Sequence, residues 1–404
     1  MRRGPLKETA FALLFAGRAI SALGDRLVPV ALAFAVLDLT GSVTDLGIVL
    51  GAQSVPLVVF VLLGGVWADR LPRQWVMLAS DGVRAVAQGA SAALLLSGSA
   101  HVWEIAALQA LYGAGEAFFV PASTAVVPQT VSSSNLQQAN ALLGLSGNVA
   151  TVLGPALAGV IVATAGPGWG LAADAATFVA SAAFLSFIRV GPIVATARTS
   201  ALAELRAGWR AFRSRAWLWI SVLYFTLFIA FVLSPLQVLG PQVARSSLGG
   251  PDAWAAISTA LGLGALLGGV LGMRWRPRHP LRAAFLAFLL AGPALFVALA
   301  AHAPLPLILA AALIDGGSGT LFNIFWFTAQ QREIPAGELS RVSSWDYLGT
   351  LALQPIGLAA SGPLAAAVGV STTLYGAGGL FVILVLAVLA VPAVRNFTGD
   401  GGVA

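Results

Sequence analysis

Cysteine is absent from the 404 residues, lysine occurs once, at Lys7, and histidine three times, at His101, His279 and His302. Without a thiol there are no disulfides, thiolate metal sites or cysteine nucleophiles. The three histidines are spread between apolar runs, so no metal or cofactor site is expected, and no glycine-rich nucleotide loop is present. Charge is scarcest of all: 9% of residues are charged, against roughly 25% in an ordinary soluble domain. With 58% of residues hydrophobic, the chain cannot clothe a soluble surface. Soluble enzymes and soluble binding modules are excluded. At about 20 apolar residues per spanning helix, the length holds about twelve.

What is present is a succession of apolar stretches broken by Gly, Pro and polar clusters. Spanning helices are expected at 9–37, 43–68, 75–97, 101–128, 137–164, 168–190, 216–243, 253–273, 281–301, 304–331, 339–368 and 371–394. The net charge of +6 does not require a nucleic-acid partner, because basic residues collect in the cytoplasmic loops of membrane proteins. With the N-terminus inside, 18 of the 22 basic residues fall on the cytoplasmic side. Only Arg245 falls outside, and Arg18, Arg26 and Arg84 lie within helices. This split predicts an even number of spans with both termini cytoplasmic. The first apolar run is only about six residues long before Arg18, too short for a cleaved signal peptide, so an uncleaved first helix is expected.

The longest polar interval, 191–215, separates an N-terminal six-helix bundle (1–190) from a C-terminal one (216–404). Within it Leu202, Leu205, Trp209 and Phe212 recur at helical spacing with Arg between them, the pattern of a helix lying on the inner membrane surface. The halves echo each other. Leu111-Tyr112-Gly113-Ala114-Gly115 is matched by Asp315-Gly316-Gly317-Ser318-Gly319, and Gly154-Pro155 by Pro355-Ile356-Gly357. Six helices repeated in parallel would rock about a central site. The expected fold class is therefore all-α, with twelve transmembrane helices in two six-helix pseudo-repeats.

Between the second and third helices lies Gly65-Val66-Trp67-Ala68-Asp69-Arg70-Leu71-Pro72-Arg73-Gln74. It places a small residue at a helix interface, then an acid and bases at the membrane boundary. Such charges can pair across neighbouring helix ends and part when the ends separate. Asp81 and Arg84, two turns into the third helix, are candidates for the same network, as is Asp346 near the inner end of helix eleven. By spacing alone, an ordinary basic loop reads equally well.

This stretch resembles the Gly-x-x-x-Asp-Arg-x-x-Arg motif of the major facilitator superfamily, with Pro72 for the usual Gly and Gln74 for the usual second base. The resemblance implies that Asp69, Arg70 and Arg73 stabilise the outward-facing state. In helix five, Gly147 to Gly159, with Gly154-Pro155, is similar to the superfamily's antiporter motif. The two motifs together favour export. Gly17-Arg18 with Ser21 to Arg26, Gly115 to Ala122, Asn135 to Asn140, Gln330 to Pro335 and Arg341 to Ser344 extend the likeness to the macrolide-efflux and enterobactin-exporter branch. The helix-four Arg of many drug–proton antiporters is absent, with Gln109 and Leu111 at the candidate positions.

Any proton coupling must then use the intramembrane charges, since a charge in the bilayer normally faces a partner or a water-filled cavity. Asp25, Glu116 and Asp315 lie in the middle part of the membrane, and Arg18 stands two helical turns from Asp25. Either Asp25 and Glu116 exchange protons with Asp315 as a further candidate, or one acid forms a static pair with Arg18. In the superfamily the substrate lies between helices one, four, seven and ten. There Phe118, Phe119, Tyr224, Phe225, Phe228, Phe322, Asn323 and Trp326 suit a bulky, largely apolar compound, or else simply pack. The expected protein is a monomeric secondary transporter in a bacterial inner membrane. It is expected to export a hydrophobic or amphiphilic small molecule, such as an antibiotic or siderophore, against proton entry. The alternatives are a facilitator or importer, or a non-transporting receptor or structural subunit.

Overall fold

The structure is a computed structural model that describes residues 4–132, 135–188 and 201–398, without the side chains of 61–70, 125, 137, 201–205, 336, 337 and 340. The described residues are helical throughout and divide into two compact units, Met1–Ala197 and Arg198–Ala404. Among the described residues, eleven spans are long and apolar enough to cross a membrane. The twelfth, α4 (Arg73–Ser97), has 25 residues. It falls short in hydropathy because Gln74, Asp81, Arg84 and Gln88 interrupt it.

In the first unit the first span is two helices, α1 (Thr9–Asp25) and α2 (Val28–Thr40). The single helix expected over 9–37 breaks at Arg26-Leu27. Pro29 has no N–H to offer the carbonyl four residues back, so the ladder is interrupted there. There follow α3 (Val43–Arg70), α4, α5 (Val102–Ala125), a short α6 (Val127–Thr130), α7 (Leu136–Ala165) and α8 (Pro167–Ser186). Phe11, Leu14, Gly17, Ser21 and Gly24 are the buried positions of α1, spaced three or four apart on one face. That face meets α8 and α7, while α4 packs between α5 and α8 and α3 runs along α5.

The second unit begins with α9 (Ala201–Arg213). Helix α9 packs on α15 (Ala336–Leu351), with Trp209 and Trp345 ring centroids 5.0 Å apart. The seventh span is α10 (Ala216–Phe228), one π turn at Ile229–Leu233, and α11 (Ser234–Ser247). Then come α12 (Pro251–Arg274), α13 (Pro280–Ala300) and α14 (Leu305–Glu333). The eleventh span joins α15 to α16 (Gln354–Val368), and α17 (Val370–Ala390) with a short α18 (Pro392–Arg395) completes the unit.

Membrane helices associate through close backbone approach at small residues, and here the repeat becomes physical. A Cβ on Gly154 of α7 would strike Arg26 at the break in the first span. A Cβ on Gly357 of α16 would strike the backbone of Ala230 within the π turn of the seventh. Likewise Gly113 of α5 lies against the Gln53 carbonyl of α3, and Gly316 of α14 against the Leu261 carbonyl of α12. Each unit thus has a broken first helix, with a glycine of its fifth packed at the break.

Candidate functional site

The most polar part of the first unit is buried. Arg84, on α4, is 1% exposed. Gly115 makes this position possible, since a Cβ there would come within 2.9 Å of the Arg84 side chain. The guanidinium lies between two rings, 4.1 Å from the centroid of Phe119 on α5 and 4.2 Å from that of Phe178 on α8. It pairs with Asp81 one turn before it on α4, and its Nη1 stands 3.5 Å from Asp25 Oδ1 at the end of α1. Tyr112 donates to the same Asp25 oxygen at 2.7 Å, and Ser181 of α8 donates to Asp81 Oδ2 at 2.7 Å. Glu116 of α5 is half-buried, within electrostatic range of Asp25, Arg84 and Arg26.

Several expected residues therefore converge. Asp25, Asp81, Arg84, Glu116 and Phe119 share one site, drawn from α1, α4 and α5. The counter-ion of Asp25 is Arg84 rather than Arg18, whose Nη1 instead donates to the Ser123 carbonyl at 3.2 Å. Tyr112, Phe178 and Ser181 complete the site, and sequence reasoning did not select them. Below the cluster, Gln109 donates to Gln88 at 3.0 Å, both buried, and Asp174 is buried beside Thr177. Gln109, one of the two candidate positions for the family's helix-four Arg, thus meets an amide on α4.

The remaining candidates lie elsewhere. Gly65 lies within α3, and the side chains of Asp69 and Arg70 fall outside the described residues. Arg73 starts α4, and Asp346 accepts hydrogen bonds from Trp326 Nε1 at 3.2 Å and Gln330 Nε2 at 2.7 Å. In helix five, Gly154, Pro155 and Gly159 are buried, whereas Gly147 faces open space. Phe118 stacks on Phe60 at 6.2 Å. In the second unit Tyr224, Phe228, Phe322 and Trp326 are buried in an aromatic core with Phe225, Phe285, Phe288 and Phe381. Asn323 is exposed and bonds back to the Gly319 carbonyl. Asp315 is half-buried on α14 beside Gly292 of α13.

A sequence model of the major facilitator superfamily matches residues 14–345. The chain belongs to the major facilitator superfamily. It is a membrane transporter and not an enzyme. Across 98% of its length it is 28% identical to the multidrug efflux pump Tap of Mycolicibacterium fortuitum, covering 97% of that protein. It is also 28% identical to the enterobactin exporter EntS of Escherichia coli O1:K1 / APEC, over 96% of this chain and 93% of that one. Among solved structures, a bacterial homologue of the human lysosomal transporter Spinster superposes with a TM-score of 0.76 at 14% identity, covering 98% of each chain. The nucleoside transporter NupG gives 0.74 at 14% identity, over 94% of this chain and 98% of that one. These likenesses establish the superfamily's twelve-helix fold in two six-helix pseudo-repeats.

Proposed function

We propose that the chain is a proton-coupled exporter of a hydrophobic or amphiphilic small molecule, working as a monomer by alternating access. It resides in a bacterial inner membrane with both termini cytoplasmic, as the distribution of basic residues favours. The observation that carries the coupling is the charge group around Arg84. Asp25 and Glu116 both act on one buried guanidinium, and Asp25 is also held by Tyr112. A proton arriving on Glu116 removes one negative charge from this group and leaves Arg84 to Asp25 and Asp81. Loss of the proton restores the competition. In a medium of low dielectric such a change of one charge shifts helix positions measurably. Glu116 is thus the carrier and Asp25 its partner.

Outward direction is supported by the names of the relatives, an efflux pump and an exporter, and by Gly154-Pro155 in helix five. Gly65, Asp69, Arg70 and Arg73 are assigned the cytoplasmic latch. The test is efflux of a panel of fluorescent compounds and antibiotics from cells expressing the chain, with and without a protonophore. Efflux should be abolished by the protonophore, and Glu116→Gln should remove the response to the gradient. Efflux untouched by the protonophore would overturn proton coupling in favour of facilitated flow.

A further inference from the structure

One further acid lies inside the first unit, apart from the Arg84 group. Asp174 of α8 is 0% exposed, and its Oδ2 has no hydrogen-bond partner among the described residues. Its other oxygen is little better served. The Thr177 hydroxyl stands 3.4 Å from Oδ1, but its single hydrogen is directed to the Asp174 carbonyl at 2.7 Å. From α1, Gly24 closes over the carboxyl, since a Cβ there would come within 2.5 Å of Oδ1. Gly24 adjoins Asp25 in the chain.

The polar groups that face Asp174 are Gln88 and Arg84 on α4, Asp25 on α1 and Tyr112 on α5. Helices α2 and α7 also pack on α8. Helix α7 carries no charged residue, and the one on α2, Asp38, lies about 10 Å along that helix from Ala31, which meets Gly170. Arg84 is already paired with Asp81 and Asp25, and Tyr112 donates to Asp25. Gln88 and Gln109 are fully buried, and their mutual bond leaves Gln88 Nε2 and Gln109 Oε1 without partners among the described residues. An ionised carboxylate only accepts, with room for about four hydrogen bonds, and the neutral donor left to face this one is the Gln88 amide. A buried charge so poorly answered takes up a proton instead. A carboxylic acid both donates and accepts, which suits surroundings that hold a spare donor and a spare acceptor.

We infer that Asp174 is a second proton-binding site of the first unit, on the outer side of the Asp25 group. Binding forms one O–H bond on the carboxyl and removes a negative charge that otherwise faces that of Asp25. The order along the helices gives the side. On α8, Ser181 meets Asp81, whereas Asp174, two turns earlier, faces Gln88, one turn beyond Arg84 on α4. With the N-terminus cytoplasmic, α8 starts at the outer surface, so Asp174 stands between that surface and the charge group of Asp25 and Glu116. The inference rests on the proton-coupled reading for this direction, and not for the site itself.

The test is infrared spectroscopy of the full chain at neutral pH in dodecylmaltoside, which has no ester carbonyl of its own. It reads the C=O stretch of a protonated carboxylic acid, with isotope-labelled aspartate to separate aspartate from glutamate. The wild type should show an aspartic acid band that Asp174→Asn removes and Glu116→Gln leaves in place. Asp174→Asn keeps a donor and an acceptor, so its melting temperature should stay near that of the wild type. A wild type with no protonated aspartate at neutral pH overturns the inference whether or not any variant folds. So does a folded Asp174→Asn chain with the band undiminished, and so does a band lost when sodium replaces choline in the buffer, which would give the site to a metal cation. Failure of the proton-coupled reading looks different: the Asp174 band persists while efflux ignores the protonophore.

Discussion

Arg84 and Phe288 occupy the same place in the two halves of the chain, each between a ring of the fourth helix of its unit and a ring of the sixth. In one half the enclosed group is charged and answered by two carboxylates; in the other it is apolar and leaves a carboxylate unanswered. Exchanging the two fillings therefore gives opposite electrostatic results.

Removing the Arg84 charge should destabilise the first unit severely. Taking away one partner of a buried ion pair costs roughly 3–5 kcal/mol, because the other is left uncompensated. Arg84→Met is expected to lower the melting temperature sharply in detergent. Arg84→Met combined with Asp81→Asn should recover part of the loss, since one of the stranded charges is gone. Thermal unfolding of the four chains in that double-mutant cycle checks this directly; additive losses would mean Asp81 is not coupled to Arg84.

The glycines of the antiporter motif should not be equivalent. Gly154→Val forces a side chain into Arg26 at the break in the first span, and overpacking of this kind costs about 1–3 kcal/mol. Gly147→Val meets nothing within reach and should leave melting temperature and efflux near wild type. Comparable losses from both would indicate that the motif acts through something other than the approach of α7 to the first span.

Glu8 gives a pH dependence outside the membrane. Its carboxylate accepts from the Ser132 backbone N–H at 2.7 Å, the Ser132 hydroxyl at 2.9 Å and Asn135 Nδ2 at 2.7 Å. These bonds, that of Asn135 foremost, hold its pKa below the ordinary 4.5. A depressed carboxylate stabilises the fold fully above its unfolded pKa and loses that contribution as pH falls through the folded one. The melting temperatures of wild type and Glu8→Gln should differ at neutral pH and converge once the pH has fallen below the folded-state pKa of Glu8. A difference that does not shrink as the pH is lowered through the carboxylate range would assign the effect to packing and not to charge.

The spans were legible because apolar runs and loop charges are written along the chain. The breaks at Arg26-Leu27 and Ile229–Leu233 were not read, although Pro29 and Pro235 stand just beyond them, because proline is common in membrane helices and rarely marks one particular turn. The repeat was visible in Gly154 and Gly357, and the structure shows what they do. The alternative of a static pair between Asp25 or Glu116 and Arg18 is not the ion pair that Asp25 makes. Spacing within one helix points to Arg18, whereas the true partner is on α4, and no periodicity along a single chain reports which helices become neighbours. Glu8 and Tyr112 lacked any local signal, for the same reason.

The polarity of α4 has a bearing on how the chain enters the bilayer. An Asp or Arg at the centre of a nascent helix costs about 2.5–3.5 kcal/mol on insertion scales, and α4 carries one of each. Its charges find Asp25 in a helix made earlier, but Phe119 and then Phe178 and Ser181 in helices made later. On leaving the ribosome α4 is an unfinished span. Its two charges can pair with each other within the helix, but the last of their other partners, on α8, is made only with the sixth span.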